Sequence, residues 1–203
     1  MTARVDDRPV HVIGAGGHAK VIVALIEAAG DVVGGVYDDD PKKAGETLLG
    51  HAIAPLAALP TDAVVVIAIG NNRVRLKVAT ELRAHDAAIL VHPTAWVAPT
   101  STLGSGSVVF AGAIVQPDTR VGAHVIVNTA ASLDHDNVVG DFAHIAPGCH
   151  LAGDVHVGSG AFLGVGVSVI PGRRIGAWST VGAGGVVVVD VADGAVVKGV
   201  PAR

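Results

Sequence analysis

Residues 121–145 read VGAHVIVNTAASLDHDNVVGDFAHI, with aliphatic side chains at Val121, Val127, Leu133, Val139 and Ile145. The spacing is six. Followed outward, it runs from Val97 through Leu103, Val109 and Val115 on one side. On the other it continues through Leu151, Val157, Leu163, Val169, Ile175 and Val181 to Val187, making sixteen consecutive positions without an insertion. Glycine follows at 104, 122, 140, 158, 164, 176 and 182, and five of these (104, 122, 140, 158, 176) lie 18 apart. Small residues such as Ala95, Ser101, Ser107, Ala113 and Thr119 suit tight corners. A six-residue period with small residues at turns marks a hexapeptide parallel β-helix, in which three hexapeptides close a triangular coil. Coils should stack at about 4.8 Å, the ordinary interstrand distance. Residues 97–187 supply about five coils.

The composition agrees. Half of the 203 residues are hydrophobic but only 3% are aromatic, which favours a stacked, narrow core. A formal charge of −4 argues against a general nucleic-acid binder, which needs a basic face. Cys149 is the one cysteine, so an intrachain disulfide and a multi-cysteine zinc site are excluded. The opening MTARVDDRPV is too polar for a signal peptide, and no run approaches the roughly 18 apolar residues of a membrane helix. A soluble, cytoplasmic protein is expected, with neither nucleic acid nor membrane as partner.

Residues 10–91 follow another rule. A strand at Val10–Ile13 ends in glycines, a helix over Ala19–Ala29 closes at Gly30, and a second strand over Val32–Tyr37 runs into Asp38-Asp39-Asp40-Pro41. A third strand over Val64–Ile69 leads to Gly70-Asn71-Asn72, followed by a helix over Val74–Ala84 and a strand over Ala88–Val91. Strand–helix alternation builds a parallel sheet flanked by helices. Two domains are expected: an α/β, Rossmann-like half-domain over residues 1–91 and an all-β parallel β-helix over residues 92–203.

Two places carry more polarity than a scaffold needs. Gly14-Ala15-Gly16-Gly17-His18 joins a strand to a helix, where glycines let the backbone approach a phosphate and the helix N-terminus offers free N–H donors. Asp38, at the end of the second strand, can accept from ribose or sugar hydroxyls. A tight turn with a solvated acidic cluster is the plain alternative. A dinucleotide is a rival ligand, but about 80 residues suit a mononucleotide or nucleotide sugar better.

The second place is His135, flanked by Asp134 and Asp136. A carboxylate beside an imidazole raises its basicity and fixes its tautomer, as a general base requires. Gly153 stands one coil later and would leave room above the ring. His144 is half a coil away, so the two histidines should share a site only across a subunit interface. His144, His150 and His156 are six apart and should lie on three different edges, so no metal is expected. Cys149 sits at a small-residue corner and reads as structural.

GAGGHAKVIVALI (14–26), the strand-end DDD (38–40), AIGNNRVR (68–75), NTAASLDHDNVVGDFAHIAPG (128–148) and the closing KGVPAR (198–203) together resemble one family. It is the bacterial sugar acyltransferases of the sialic acid O-acetyltransferase and nucleotide-amino-sugar N-acetyltransferase type, and the resemblance covers nearly the whole chain. It implies a left-handed β-helix, a homotrimer with sites between subunits, acetyl-CoA as donor and a nucleotide-linked amino sugar as acceptor. His135 would be the catalytic base and Asp136 its acidic partner. Asn128, His144, Gly153, Val165 and Ala183 would contact acetyl-CoA. Gly16, Gly17, His18, Asp38, Asp39 and Gly70 would contact the nucleotide sugar. Some members place a lysine directly after the acidic pair; here Asp40 stands there and Lys42 follows later. The implied reaction is direct attack of the sugar amine on the thioester, with a backbone N–H near Gly153 holding the oxyanion. Sugar O-acetylation and a non-catalytic nucleotide-sugar-binding subunit are the alternatives.

Overall fold

The computed structural model describes residues 8–203; residues 1–7 of the polar N-terminal stretch lie outside the described residues. The α/β part contains β1 (Val10–Ile13), α1 (Gly17–Ala28), β2 (Val33–Tyr37), β3 (Thr47–Leu48), β4 (His51–Ala54), β5 (Val64–Ile67), α2 (Asn72–Glu81) and β6 (Asp86–Ala87). The sheet order is β3-β4-β2-β1-β5-β6, parallel except for the β3–β4 pair. The chain passes from β1 to β2 on one side and returns to β5 on the other. The switch point therefore lies between β1 and β5, where ligands of open α/β sheets bind at the carboxyl ends of the strands.

Two helix boundaries differ from expectation. Helix α1 starts at Gly17 rather than Ala19, with Gly16 as an N-cap that has no side-chain hydrogen bond to announce it. Helix α2 starts at Asn72 because the Asn71 side chain accepts from the N–H groups of Arg73 and Val74, both at 3.1 Å. The strand expected over Ala88–Val91 shortens to Leu90–Val91, and a separate strand precedes it. Asp86–Ala87 closes the α/β sheet, while Leu90–Val91 pairs with Val108–Val109 and begins the solenoid.

The solenoid is a left-handed parallel β-helix with three faces. Face I has seven strands, from Leu90–Val91 through Ile126–Val127 and His144–Ile145 to Val196–Val197. Face II has six, from Trp96–Val97 through Ser132–Leu133 to Val186–Val187, and face III has five, from Thr102–Leu103 through Val138–Val139 to Arg174–Ile175. From Leu90 to Val187 every paired residue is offset by 18, so equivalent positions stand in vertical columns. The last coil is shorter: Val197 pairs with Val181 and Val191 with Ile175, offsets of 16.

The inward column is sealed, with Val109, Val127, Ile145, Leu163 and Val181 all fully buried. Turn positions repeat as strictly. From residue 106 to residue 184, every sixth residue has a φ between +52° and +75°, and Asp136 (+61°) is one of them. Glycines 104, 122, 140, 158 and 176 answer a different constraint. They form the edge between faces III and I, where successive coils nearly touch; a Cβ on Gly140 would sit 2.6 Å from the Ser159 backbone nitrogen.

Face I is buried on both sides from Leu90 to His144, whereas its later outward residues Phe162 and Val196 are exposed. Its outward Val108 and Ile126, with Phe110, join Ala19, Ile22, Val23 and Ile26 of α1 in one core. Arg75, 1% exposed, locks the two parts together. Its guanidinium donates to the carbonyls of Ile69 (2.9 Å), His124 (2.9 Å) and Phe142 (2.7 Å) and to Asn72 Oδ1 (2.8 Å). Asn72 in turn donates to the carbonyls of Gly160 and Ala161, both at 3.1 Å. Because Gly140 has no slack above it, Gly140→Ala should lower stability by about 1–3 kcal/mol. Thermal and denaturant unfolding measure this, with an exposed Ala substitution such as Lys77→Ala as the neutral control.

Candidate active site

At the switch point, Gly14 (φ +100°) turns the chain out of β1, and a Cβ there would meet Ile69 and Ala68. Gly16 and Gly17 open onto free space at the start of α1, as does Gly70 after β5. Asp38 does not face outward with idle oxygens. Its Oδ2 accepts from the Ala15 N–H (2.7 Å) and from Lys43 Nζ (2.5 Å), and its Oδ1 from the Asp40 N–H (2.9 Å). Burial raises its pKa, but the Lys43 hydrogen bond, the backbone donors and the Lys43 charge together outweigh that and hold it below the usual range. Asp38 therefore ties the glycine loop to the following segment. The lysine that serves it is Lys43; Lys42 instead donates its backbone N–H to Asp40. Asp39 accepts from the Leu56 N–H at 2.8 Å.

Gly70, His18, Asn128 and His144 meet where the α/β part rests on face I. Asn128 Oδ1 accepts from the Thr129 N–H (2.8 Å), which turns its Nδ2 donor toward His144 Nε2 (3.1 Å). The His144 proton is then on Nδ1 and is donated to the Gly70 carbonyl (3.3 Å). His18 lies 6.3 Å from His144 between ring centroids and 5.5 Å from Phe110, and its buried Nε2 has no partner. Burial, reinforced by the Arg75 charge, pushes both imidazoles down to about 4, so both are neutral near pH 7. Beside them, Arg73 lies 4.6 Å over the Trp178 ring at a cleft of about 340 Å³ lined by Gly70, Asn72 and Phe162.

His135 lies elsewhere, on the edge between faces II and III, opposite face I. Its Nδ1 is 2.7 Å from Asp136 Oδ2, so Nδ1 carries the proton and Nε2 keeps its lone pair. The Asp136 hydrogen bond is the main cause that raises its pKa; desolvation opposes it, and the charges of Asp134, Asp136 and Asp154 add to the rise. The ring is well exposed, as a proton carrier must be. Gly153 stands one coil above, but the room it leaves is not vacant: its Cβ would sit 2.5–2.6 Å from Cε1 and Nε2 of His135. The expected space for a reacting group is filled by the imidazole itself.

Of the residues expected at acetyl-CoA, His144 projects from face I toward the α/β part, and the other four divide between two edges. Asn128, Val165 and Ala183 line the edge between faces I and II, whose turns read NTAA (128–131), APGC (146–149), GVGV (164–167) and GAGG (182–185). Gly153 belongs to the His135 edge. His144, His150 and His156 project from faces I, II and III, and no group of three potential metal ligands occurs among the described residues. Cys149 is fully buried, donates to the Gly164 carbonyl, and burial pushes its thiol up to about 11. No helix among the described residues is long and apolar enough to cross a membrane. Sequence reasoning missed Arg75, Lys43 and Asn137. Only Asn137 left a signal, as an amide at a corner where Ser101, Thr119 and Val155 stand in the same column.

A triangular β-helix carrying a His–Asp dyad and a nucleotide-type α/β half-domain defines an acyltransferase of the hexapeptide-repeat class. Residues 9–82 match the PglD N-terminal domain. The chain is 37% identical to the acetyltransferase domain of PglB from Neisseria gonorrhoeae FA1090, covering 97% of this chain and 98% of that one with a TM-score of 0.90; that domain has also been seen with acetyl coenzyme A. It is 41% identical to PerB from Caulobacter crescentus, solved with CoA and GDP-perosamine, over 97% and 96% of the two chains with a TM-score of 0.91. A curated relative, UDP-N-acetylbacillosamine N-acetyltransferase of Bacillus subtilis, is 43% identical over 110 residues, about half of either chain. The chain belongs to the family of PglB- and PerB-type N-acetyltransferases.

Neutral, buried His144 makes acid stability a direct reading of this site. Its folded pKa lies below the unfolded 6.5, so the unfolded chain binds more protons between those values. The stabilisation is complete above pH 6.5 and falls away as the pH drops toward 4, by up to about 3 kcal/mol for His144. Melting temperature followed from pH 7 to 4 should fall steeply, and His144→Gln should flatten part of that slope.

Proposed function

We propose that the protein transfers the acetyl group of acetyl-CoA to the amine of a nucleotide-linked amino sugar, in the cytoplasm, where acetyl-CoA is available. The observation that carries this reading is the His135–Asp136 dyad on an exposed β-helix edge, with Nε2 free to accept a proton. Acetyl-CoA supplies an activated thioester. His135 Nε2 takes the proton of the amine as its lone pair attacks the thioester carbonyl, and the same proton is available to the departing CoA sulfur as the C–S bond breaks. Asp136 holds the tautomer and balances the imidazolium. A backbone N–H near Gly153 faces the developing oxyanion.

The same reading assigns a homotrimer. The nucleotide-type site packs against face I, whereas His135 lies on the opposite edge, so one chain cannot bring them together. A neighbouring subunit can, if its edge carrying Asn128, Val165 and Ala183 lies beside the His135 edge. The small side chains of that edge leave a smooth track for a pantetheine arm. Gly16, Gly17, His18 and Gly70 then hold the nucleotide sugar, with pyrophosphate at the α1 N-terminus, while Asp38 and Asp39 act by shaping the loop.

CoA release measured against a panel of nucleotide 4-amino sugars tests the reading. Turnover with one of them, lost at least 10²-fold in His135→Ala, is the expected result. Release only with a hydroxylated sugar would make it an O-acetyltransferase, and binding without turnover would make it a non-catalytic subunit. Activity should rise with pH through a pKa above 6.5, because the base must be neutral and its pKa is raised. Asp136→Asn should move that limb to lower pH and reduce kcat.

A further inference from the structure

We propose that Asn137 is a positioning residue for the reaction, holding the turn that carries His135. The proposal rests on the reading of His135 as the base. Asn137 has no exposed surface and occupies the inward corner of the 134–137 turn. Its Nδ2 donates to two carbonyls, Asp134 in its own turn (2.6 Å) and Ala152 in the next coil (3.1 Å). Its Oδ1 accepts from the Val155 N–H at 2.8 Å. One amide thus joins the His135 turn to the turn of Gly153, against which the imidazole packs. The Asp134 side chain, at the start of the same turn, accepts from the His135 N–H at 2.9 Å.

A scaffold does not need this amide. Equivalent corners carry Val125, Val155 and Val167, or Ala113, Ala131, Ala143 and Ala161, all fully buried. Ser101, Ser107 and Thr119 show what a hydroxyl achieves there. Each donates to a carbonyl fifteen residues ahead (Gln116, Gly122, Asp134) and accepts from the N–H eighteen ahead (Thr119, Val125, Asn137). Asn137 makes both of these bonds and adds one within its own turn, to the Asp134 carbonyl. That extra bond is a second hold, from within the turn, on the Asp134 carbonyl that Thr119 Oγ1 grips from the coil below (2.8 Å), and this peptide leads into His135. Removing it loosens the turn from its inner side, so that the imidazole can tilt away from Asp136 and Gly153 while the coils stay stitched.

Asn137→Thr separates the two roles, because a hydroxyl has one proton: it goes to the next coil, as at Ser101, Ser107 and Thr119, or to its own turn, as at Ser179, but not to both. Asn137→Val, the residue at three equivalent corners, is the second variant. In the full-length protein with ¹⁵N-labelled histidine, the His135 signal is assigned by its loss in His135→Ala and titrated by NMR. The expected result is a His135 pKa displaced toward 6.5 in a variant that melts like the wild type. With acetyl-CoA and the best amino sugar of the panel, kcat should fall about tenfold or more while KM for acetyl-CoA stays within about twofold. In a His135→Ala background the substitution should cause no further loss. An unchanged His135 titration in both folded variants, or an equal loss of activity with and without His135, would overturn the assignment. Failure of His135→Ala to reduce turnover would instead refute the catalytic reading, and the titration would still decide whether Asn137 holds the ring.

Discussion

The structure depends on one constraint: up to the last coil, each coil must supply 18 residues, so that strand N–H groups meet carbonyls of the neighbouring coils. A buried ladder with a displaced register would orphan its backbone groups and turn the inward aliphatics outward. Once the offset is kept, sequence positions become columns with fixed environments. Inward columns must be aliphatic, one corner column must be glycine where coils nearly collide, and the third turn residue must tolerate a left-handed conformation. Asp136 satisfies that last demand while serving His135, so its place in the dyad and its place in the fold coincide.

A second dependency joins the two parts. Arg75 is a buried cation whose partners are carbonyl dipoles and one amide rather than a carboxylate. Burying an unpaired charge is costly, and such a group persists only when its donors are filled. Here it sets the α/β part on turns from two successive coils, and Asn72, to which it is bonded, reaches a third at Gly160. Burial, reinforced by the Arg75 charge, keeps His18 and His144 uncharged, so the junction presents neutral hydrogen-bonding imidazoles while the exposed dyad on the far edge stays basic. The two histidine environments sit on one chain with opposite electrostatics.

The β-helix was readable because its period is local and repeats many times, so a single polar intruder could not hide it. His135 and Asp136 were readable for the converse reason, as outward positions that a scaffold leaves unconstrained. Other features escaped because their causes are not local. Leu90–Val91 read as the end of the α/β sheet, although Val91 continues the six-residue series; only its partner at 108–109 reveals its allegiance. Asp38 read as a ligand contact, while its oxygens serve Ala15, Asp40 and Lys43, residues brought together by a loop with no periodicity. Arg75 received no role beyond its place in AIGNNRVR, since nothing in a sequence shows which carbonyls will surround it. Gly153 was placed correctly in its column, but its neighbour's rotamer, and hence what fills the space, is a matter of packing.

The shortened final coil has a consequence for assembly. A stack of identical coils with a bare upper rim would template the lower rim of another copy, and parallel ladders could then grow end to end into a fibre. This rim offers no such match. Its offset drops from 18 to 16, and the segment from Lys198 to Arg203 folds back over it, bonding Ala202 to Val186 and closing on itself between Lys198 and Arg203. Ala202 is buried as a plug at the end of the aliphatic column. The upper rim of the aliphatic column is thereby covered by the chain itself.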